Sequence, residues 1–200
     1  MYKRQGKVTL QEDLFDLYGF LQNLQDMLST KAREKGLELL FELADDLPEI
    51  ITADEGKLRQ VLINIIGNAI KFTSQGRVIL SVSNSKSSGK IKFAITDTGR
   101  GIAESEIEAL FEPFVQTTTG KKTIEGTGLG LPISREFVQL MGGEISVSSQ
   151  VEKGTTFTFE IIANIPEELT EIASRETLPN QSKIIELTSN QYRYLSLIHI

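Results

Sequence analysis

Within the stretch LRQVLINIIGNAIKFT, four polar residues of this 200-residue chain, Gln60, Asn64, Asn68 and Lys71, fall at i, i+4, i+8 and i+11, the spacing of one helix edge. Amide carbonyl oxygens suit a hard magnesium ion that keeps several waters and takes its other ligands from phosphates, and a lysine meets phosphate as a point charge. Taken alone, the same stripe is also what a solvated helix face displays. A second cluster, DTGRGI at Asp97 to Ile102, follows an apolar strand pattern directly. It places a carboxylate at a strand end, where an ionised oxygen pair can accept from an adenine amino group, and adds glycines that let backbone approach a ligand. An ordinary turn has a similar composition. The third cluster, GTGLGL at Gly126 to Leu131, sits where a helix begins and would present free backbone N–H groups to phosphate oxygens. It lacks the GxGxxG spacing of a dinucleotide site, and no GxxxxGK[ST] occurs anywhere, which excludes a P-loop enzyme.

The elements that must hold these residues follow from hydrophobic periodicity. Leu14, Leu17, Leu21, Leu24, Met27 and Leu28 predict one long amphipathic helix from Leu14 to Lys35, stopped by Gly36. Leu37 to Leu43 reads as a strand and Asp45 to Ile51, with Pro48, as a loop. Thr52 and Glu55 have the spacing of a capping box for the next helix, whose apolar face is Leu58, Val61, Leu62, Ile65, Ile66, Ala69 and Ile70 and whose end is near Phe72. Alternation in Arg77 to Ser83 and Ile91 to Thr96 predicts a hairpin, and a second one spans Glu144 to Ser149 and Thr155 to Ile162. Between them lie a short helix near Glu104 to Leu110, a Gly/Thr/Lys-rich loop from Gln116 to Thr127, and a helix from Leu129 to Met141 closed by Gly142 and Gly143. Hairpin-paired strands with helices long enough to cover one face indicate an α+β fold, a two-layer sandwich with a mixed, mostly antiparallel sheet.

Composition narrows the function classes. Twenty-one basic residues against 27 acidic ones give a charge of −6, a field that repels phosphate backbones and anionic lipid, so no nucleic-acid partner and no direct membrane contact are expected. The chain has no cysteine and one histidine, which removes thiolate metal sites, a cysteine nucleophile and imidazole clusters. A cytoplasmic location fits, whether or not the parent protein is membrane-anchored.

In this order and spacing, LRQVLINIIGNAIKFT, DTGRGI, FEPFVQ (Phe111 to Gln116), GTGLGL and GTTFTF (Gly154 to Phe159) together resemble the catalytic ATP-binding domain of sensor histidine kinases. That domain has the Bergerat-type fold shared with gyrase, the ninety-kilodalton heat-shock chaperone and MutL. The resemblance covers Lys7 to Ile162 and implies ATP and Mg2+ as ligands. It implies that Asn68 ligates magnesium with Asn64 nearby, that Lys71 meets phosphate, and that Phe72 packs near the base. Asp97 would read the adenine amino group, with Thr155 as a second contact through water. Gly99 and Gly101 would allow close backbone approach, with Ile102 on the ring. Gly126, Thr127, Gly128, Leu129, Gly130 and Leu131 would form a glycine-hinged lid over the phosphates, anchored by Phe111 and Phe114, with Lys121 and Lys122 within it. Where the ATP-hydrolysing branch carries a water-activating glutamate four residues before the magnesium asparagine, this chain carries Asn64. An amide cannot take a proton at neutral pH, which favours phosphoryl transfer to a histidine over gyrase-type hydrolysis. A non-catalytic module that holds nucleotide and regulates a partner is the alternative from a different class.

The same resemblance implies partners: a histidine-containing dimerisation domain preceding this one, a response-regulator receiver domain, and a homodimeric parent. The ends carry a different signal. MYKRQ (residues 1–5) and LSLIHI (residues 195–200) back-translate to reverse-complementary DNA that resembles a transposase mosaic-end adapter, so both are expected to be foreign to the protein and the rest to be an internal piece of a longer gene. The catalytic domain is then expected over 6–163, and 164–194 as a linker leading toward a receiver domain.

Overall fold

The computed structural model describes residues 9–85, 89–114 and 127–164. Strand β1 (Asp13–Asp16) leads into α1 (Leu17–Glu34), β2 (Glu38–Leu43), β3 (Ile50–Ala53), α2 (Glu55–Phe72), β4 (Arg77–Asn84) and β5 (Lys90–Asp97). Then come α3 (Glu104–Ile107), a 3-10 turn (Glu108–Phe111), α4 (Gly130–Leu140), β6 (Ile145–Gln150) and β7 (Gly154–Ile162). Five strands form one sheet in the order β2-β4-β5-β7-β6, in which β2 and β4 run parallel and every other pair antiparallel. This is the mixed, mostly antiparallel sheet of the sequence reading.

Period-two alternation decides which face is covered. Val78, Leu80 and Val82 of β4, Ile91, Phe93 and Ile95 of β5, and Phe157, Phe159 and Ile161 of β7 are buried in one cluster with Leu17, Leu21 and Leu24 of α1, the apolar face of α2 and Val138 of α4. Phe93 and Phe159 are register partners on adjacent strands and stack with ring centroids 5.0 Å apart, a cross-strand aromatic pair that pins the centre of the sheet. Lys92, Thr96, Ser146 and Ser148 on the alternate positions are exposed. The sandwich therefore has two layers.

Two local expectations are corrected. The first helix starts at Leu17, not Leu14: Asp16 is its N-cap and accepts from Gly19 N (3.0 Å), while Leu14 lies in β1, which pairs antiparallel with β3. Leu14 and Met27 are at least half exposed and take no part in the core. The stretch taken as a loop accordingly ends at Ile50, where β3 begins. At α2, the Thr52/Glu55 capping box gives way to Asp54, whose carboxylate accepts from Lys57 N (2.9 Å), Gln11 N (2.8 Å) and Lys57 Nζ (2.6 Å). Glu55 pairs with Arg59 one turn on instead. Burial would raise the pKa of Asp54, but the hydrogen bonds from Gln11 and Lys57 outweigh it, and the net shift is downward.

Candidate functional site

A cleft of about 70 Å³, continuous with solvent, opens between the C-terminal half of α2 and the ends of β5 and β7. It is lined by Asn68, Ala69 and Phe72 of α2, by Asp97 and the loop residues Arg100, Gly101 and Ile102, by Leu110 and Leu131, and by Thr155 and Phe157 of β7. Of the helix edge singled out in the sequence, the cleft brings Asn68 together with the strand-end carboxylate.

Its floor is built largely from backbone. Asp97 ends β5 in register with Thr155, is buried, and accepts from Gly99 N (2.8 Å) and from the Thr155 backbone. Burial pushes its carboxyl above the usual value of 3.8, against the pull of those two N–H groups. Ser149 on β6 ties the floor to the loop: its single hydroxyl proton goes to Gly154 O (3.1 Å), and it accepts from Ile102 N (2.8 Å). Ser149 Oγ and Thr155 Oγ1 also share a hydroxyl–hydroxyl hydrogen bond of 2.8 Å. Asp97 and the Thr155 hydroxyl thus stand side by side in register, an acceptor-only carboxylate beside a hydroxyl that both donates and accepts, which suits a ligand edge that carries an N–H group. Gly101 closes this corner at φ +69, and a β-carbon there would lie 2.1 Å from Gln150 O, so no side chain fits.

The wall is built from side chains. Asn68 projects from α2 into the cleft. Lys71 lies outside the lining, with its ammonium 5.3 Å from the Phe72 ring centroid, and the Arg100 guanidinium is 5.5 Å from the same centroid, so two cations contact one aromatic ring. Asn64, one turn before Asn68, does not line the cleft: its amide nitrogen donates to the buried Ser134 Oγ of α4 (2.9 Å). Gly130 makes that contact sterically possible, since a β-carbon there would meet the Asn64 side chain at 2.3 Å. Gly99 is buried beside Asp97, behind the lining.

Of the second glycine box, only Leu131 reaches the cleft among the described residues. Thr127 Oγ1 accepts from Leu129 N (3.4 Å), and Gly128 O accepts from Phe114 N (3.2 Å), which joins this box to the phenylalanine box. The two phenylalanines differ. Phe111 packs against the core with the Arg135 guanidinium 5.3 Å from its ring centroid, whereas Phe114 is three-quarters exposed at φ 65. Gly126, Lys121 and Lys122 lie outside the described residues. Sequence reasoning missed Arg100, Ala69, Leu110 and Phe157 as lining residues and Ser149 as the tie. Arg100 and Phe157 sat inside quoted motifs, but nothing in their spacing separated a lining side chain from a solvated or core one.

With that geometry in hand, comparison with known proteins is decisive, because the family described as histidine kinase-, DNA gyrase B-, and HSP90-like ATPases matches residues 53–165. The chain belongs to this family. Within it, the chain is 38% identical to the hybrid signal transduction protein dokA of Dictyostelium discoideum over 198 residues, covering 94% of this chain and 11% of dokA. It is 36% identical to the aerobic respiration control sensor protein ArcB of Escherichia coli K12 (86% of this chain, 22% of ArcB) and 38% identical to the histidine-protein kinase BarA of the same organism (78% and 17%). The chain thus spans less than a quarter of the length of these relatives. Among solved structures, full-length ShkA in complex with AMPPNP is similar at TM-score 0.69 and 37% identity, over 78% of this chain and 32% of ShkA. The catalytic domain of the histidine kinase ThkA is similar at TM-score 0.65 and 28% identity, over 76% of this chain and 95% of that domain. The fold is accordingly the Bergerat-type ATP-binding fold of histidine kinase catalytic domains. No helix among the described residues is long and apolar enough to cross a membrane.

Proposed function

We propose that this domain binds ATP with magnesium and transfers the γ-phosphoryl group to a histidine on a dimerisation domain of the same parent protein, for relay to an aspartate of a response regulator. The observation that carries this reading is that Asp97 and Asn68, from opposite elements, line one cleft. Asp97 accepts from the adenine amino group, Thr155 makes a second contact through water, Ile102 and Phe72 flank the base, and Asn68 and Lys71 act on the phosphate chain. A magnesium ion that keeps several waters and binds substrate phosphates needs few protein ligands, and an amide oxygen in the wall can supply one. Asn68 fits that role by its oxygen and its place in the wall; Asn64, held by Ser134, fits it less well. The ion when bound supplies charge neutralisation of the phosphates. Asn64 also leaves the general-base position without a proton acceptor, so water is not activated and the phosphoryl group awaits the imidazole nitrogen, whose attack breaks the bond to the β-phosphate oxygen and releases ADP. ThkA has been solved in complex with the response regulator TrrA, which supports a receiver partner for this chain.

The test is to supply the domain with an intact histidine-bearing dimerisation domain and labelled ATP. Acid-labile label on the acceptor is expected. Saturating nucleotide with a competent acceptor and no phosphohistidine would leave a nucleotide-holding regulatory module; release of phosphate without acceptor would indicate a hydrolase.

A further inference from the structure

The last turn of α2 carries Asn68, Lys71 and Phe72, and its exposed carbonyls meet a cation from a distant part of the chain. Lys35, the C-cap of α1, donates from Nζ to Ile70 O (2.9 Å) and Lys71 O (2.7 Å), with Thr73 O at 3.4 Å. One turn back, Ala69 O takes both Thr73 N (3.1 Å) and Thr73 Oγ1 (2.7 Å). A helix C-terminus leaves carbonyl groups unpaired and carries partial negative charge, and a cation placed there stabilises it. The placement matters here because the same turn forms the wall of the cleft, and the Phe72 carbonyl lies close against the Gly99 backbone, where a β-carbon would meet it at 2.8 Å. Lys35 therefore bonds to the junction between α2 and the DTGRGI loop.

We propose that Lys35 is a positioning residue of the nucleotide site. It fixes the last turn of α2 so that Asn68 and Lys71 address a phosphate chain. The inference rests on the nucleotide-binding reading above. That reading fails on its own terms if the unaltered domain does not bind ATP, whatever Lys35 does.

The experiment compares Lys35→Met, Lys35→Arg and Lys35→Gln in the full chain. Affinities for Mg-ATP by calorimetry and for adenosine by NMR titration are measured beside Tm and amide exchange at Thr73. Lys35→Met is expected to weaken ATP about fivefold, the upper range for a charge at a helix end, and to leave adenosine within about twofold. Exchange at Thr73 should accelerate. Lys35→Arg should restore ATP affinity, and Lys35→Gln, which keeps a donor without the charge, should fall between. Two results overturn the proposal: an ATP affinity unchanged by Lys35→Met, or a parallel loss for ATP and adenosine that tracks Tm, which would make Lys35 a stabilising residue only.

Discussion

The floor and the wall of the cleft are made differently. At the floor, Asp97, Thr155, Gly101 and Ser149 are held by strand register, backbone N–H groups and a hydroxyl chain, and Asp97, Thr155 and Gly101 are buried. At the wall, Asn68 and Phe72 are half-buried side chains on one helix, with Lys71 and Arg100 gathered around a single ring. A floor of this kind fixes the shape and polarity of its ligand at the moment of folding, whereas the wall is made of side chains carried by one helix and one loop. Changes at the floor should therefore cost stability together with binding. Changes at the wall should cost binding alone.

The largest expected effect is Gly101→Ala, which forces a side chain into positive φ and against Gln150 O; a loss of roughly 2–4 kcal/mol of stability in denaturant titration is expected, with binding lost alongside. A stable, ATP-binding Gly101→Ala domain would erase the distinction between the two regions. Next is Asp97→Ala, which removes a charge-assisted acceptor and should weaken ATP about ten- to a hundredfold in calorimetry. Unchanged affinity would show that the floor does not read the base. Asn68→Ala should abolish the magnesium dependence of ATP affinity while Tm stays within a few degrees; unfolding instead would assign Asn68 to the scaffold.

The smallest effects are those of pH, and they have opposite signs in stability. Asp97, raised by burial, binds its proton more tightly folded than unfolded, so its contribution to stability improves as pH falls through its raised value toward 3.8. Asp54 is lowered, so its contribution is full above 3.8 and is lost as pH falls below that toward its folded value. Nucleotide affinity should follow Asp97 alone, weakening on acidification at a pH above the usual carboxylate range, before Asp54 begins to unlock α2. Calorimetric affinity and Tm across pH 3 to 7 separate the two. Coincident loss of both would contradict the assignment of Asp97 to the ligand.

Much of this was legible in the residues. The body of α2 and its end near Phe72 followed from its seven-residue apolar face, and the hairpin strands from alternation, because both patterns are long and repeat. What escaped was short or tertiary. The four-residue β1 and β3 are too brief for a period, and Leu14 continued the α1 spacing until Asp16 cut it. Asn64 and Asn68 are indistinguishable along the helix; only the approach of α4, permitted by Gly130, takes Asn64 out of the cleft. Arg100 has the composition of a solvated loop residue, and the Phe72 ring beneath it belongs to an element 28 positions earlier.

The Asn64–Ser134 contact has a consequence for timing. A nucleotide switch that hydrolyses its own fuel carries an internal clock, and its signal decays whether or not anything arrives to receive it. On the function proposed above, an amide fastened to a serine stands where such a clock would need a base, and the loaded state of this domain would persist until an acceptor docks or the nucleotide dissociates. The pace of signalling would then be set by encounter.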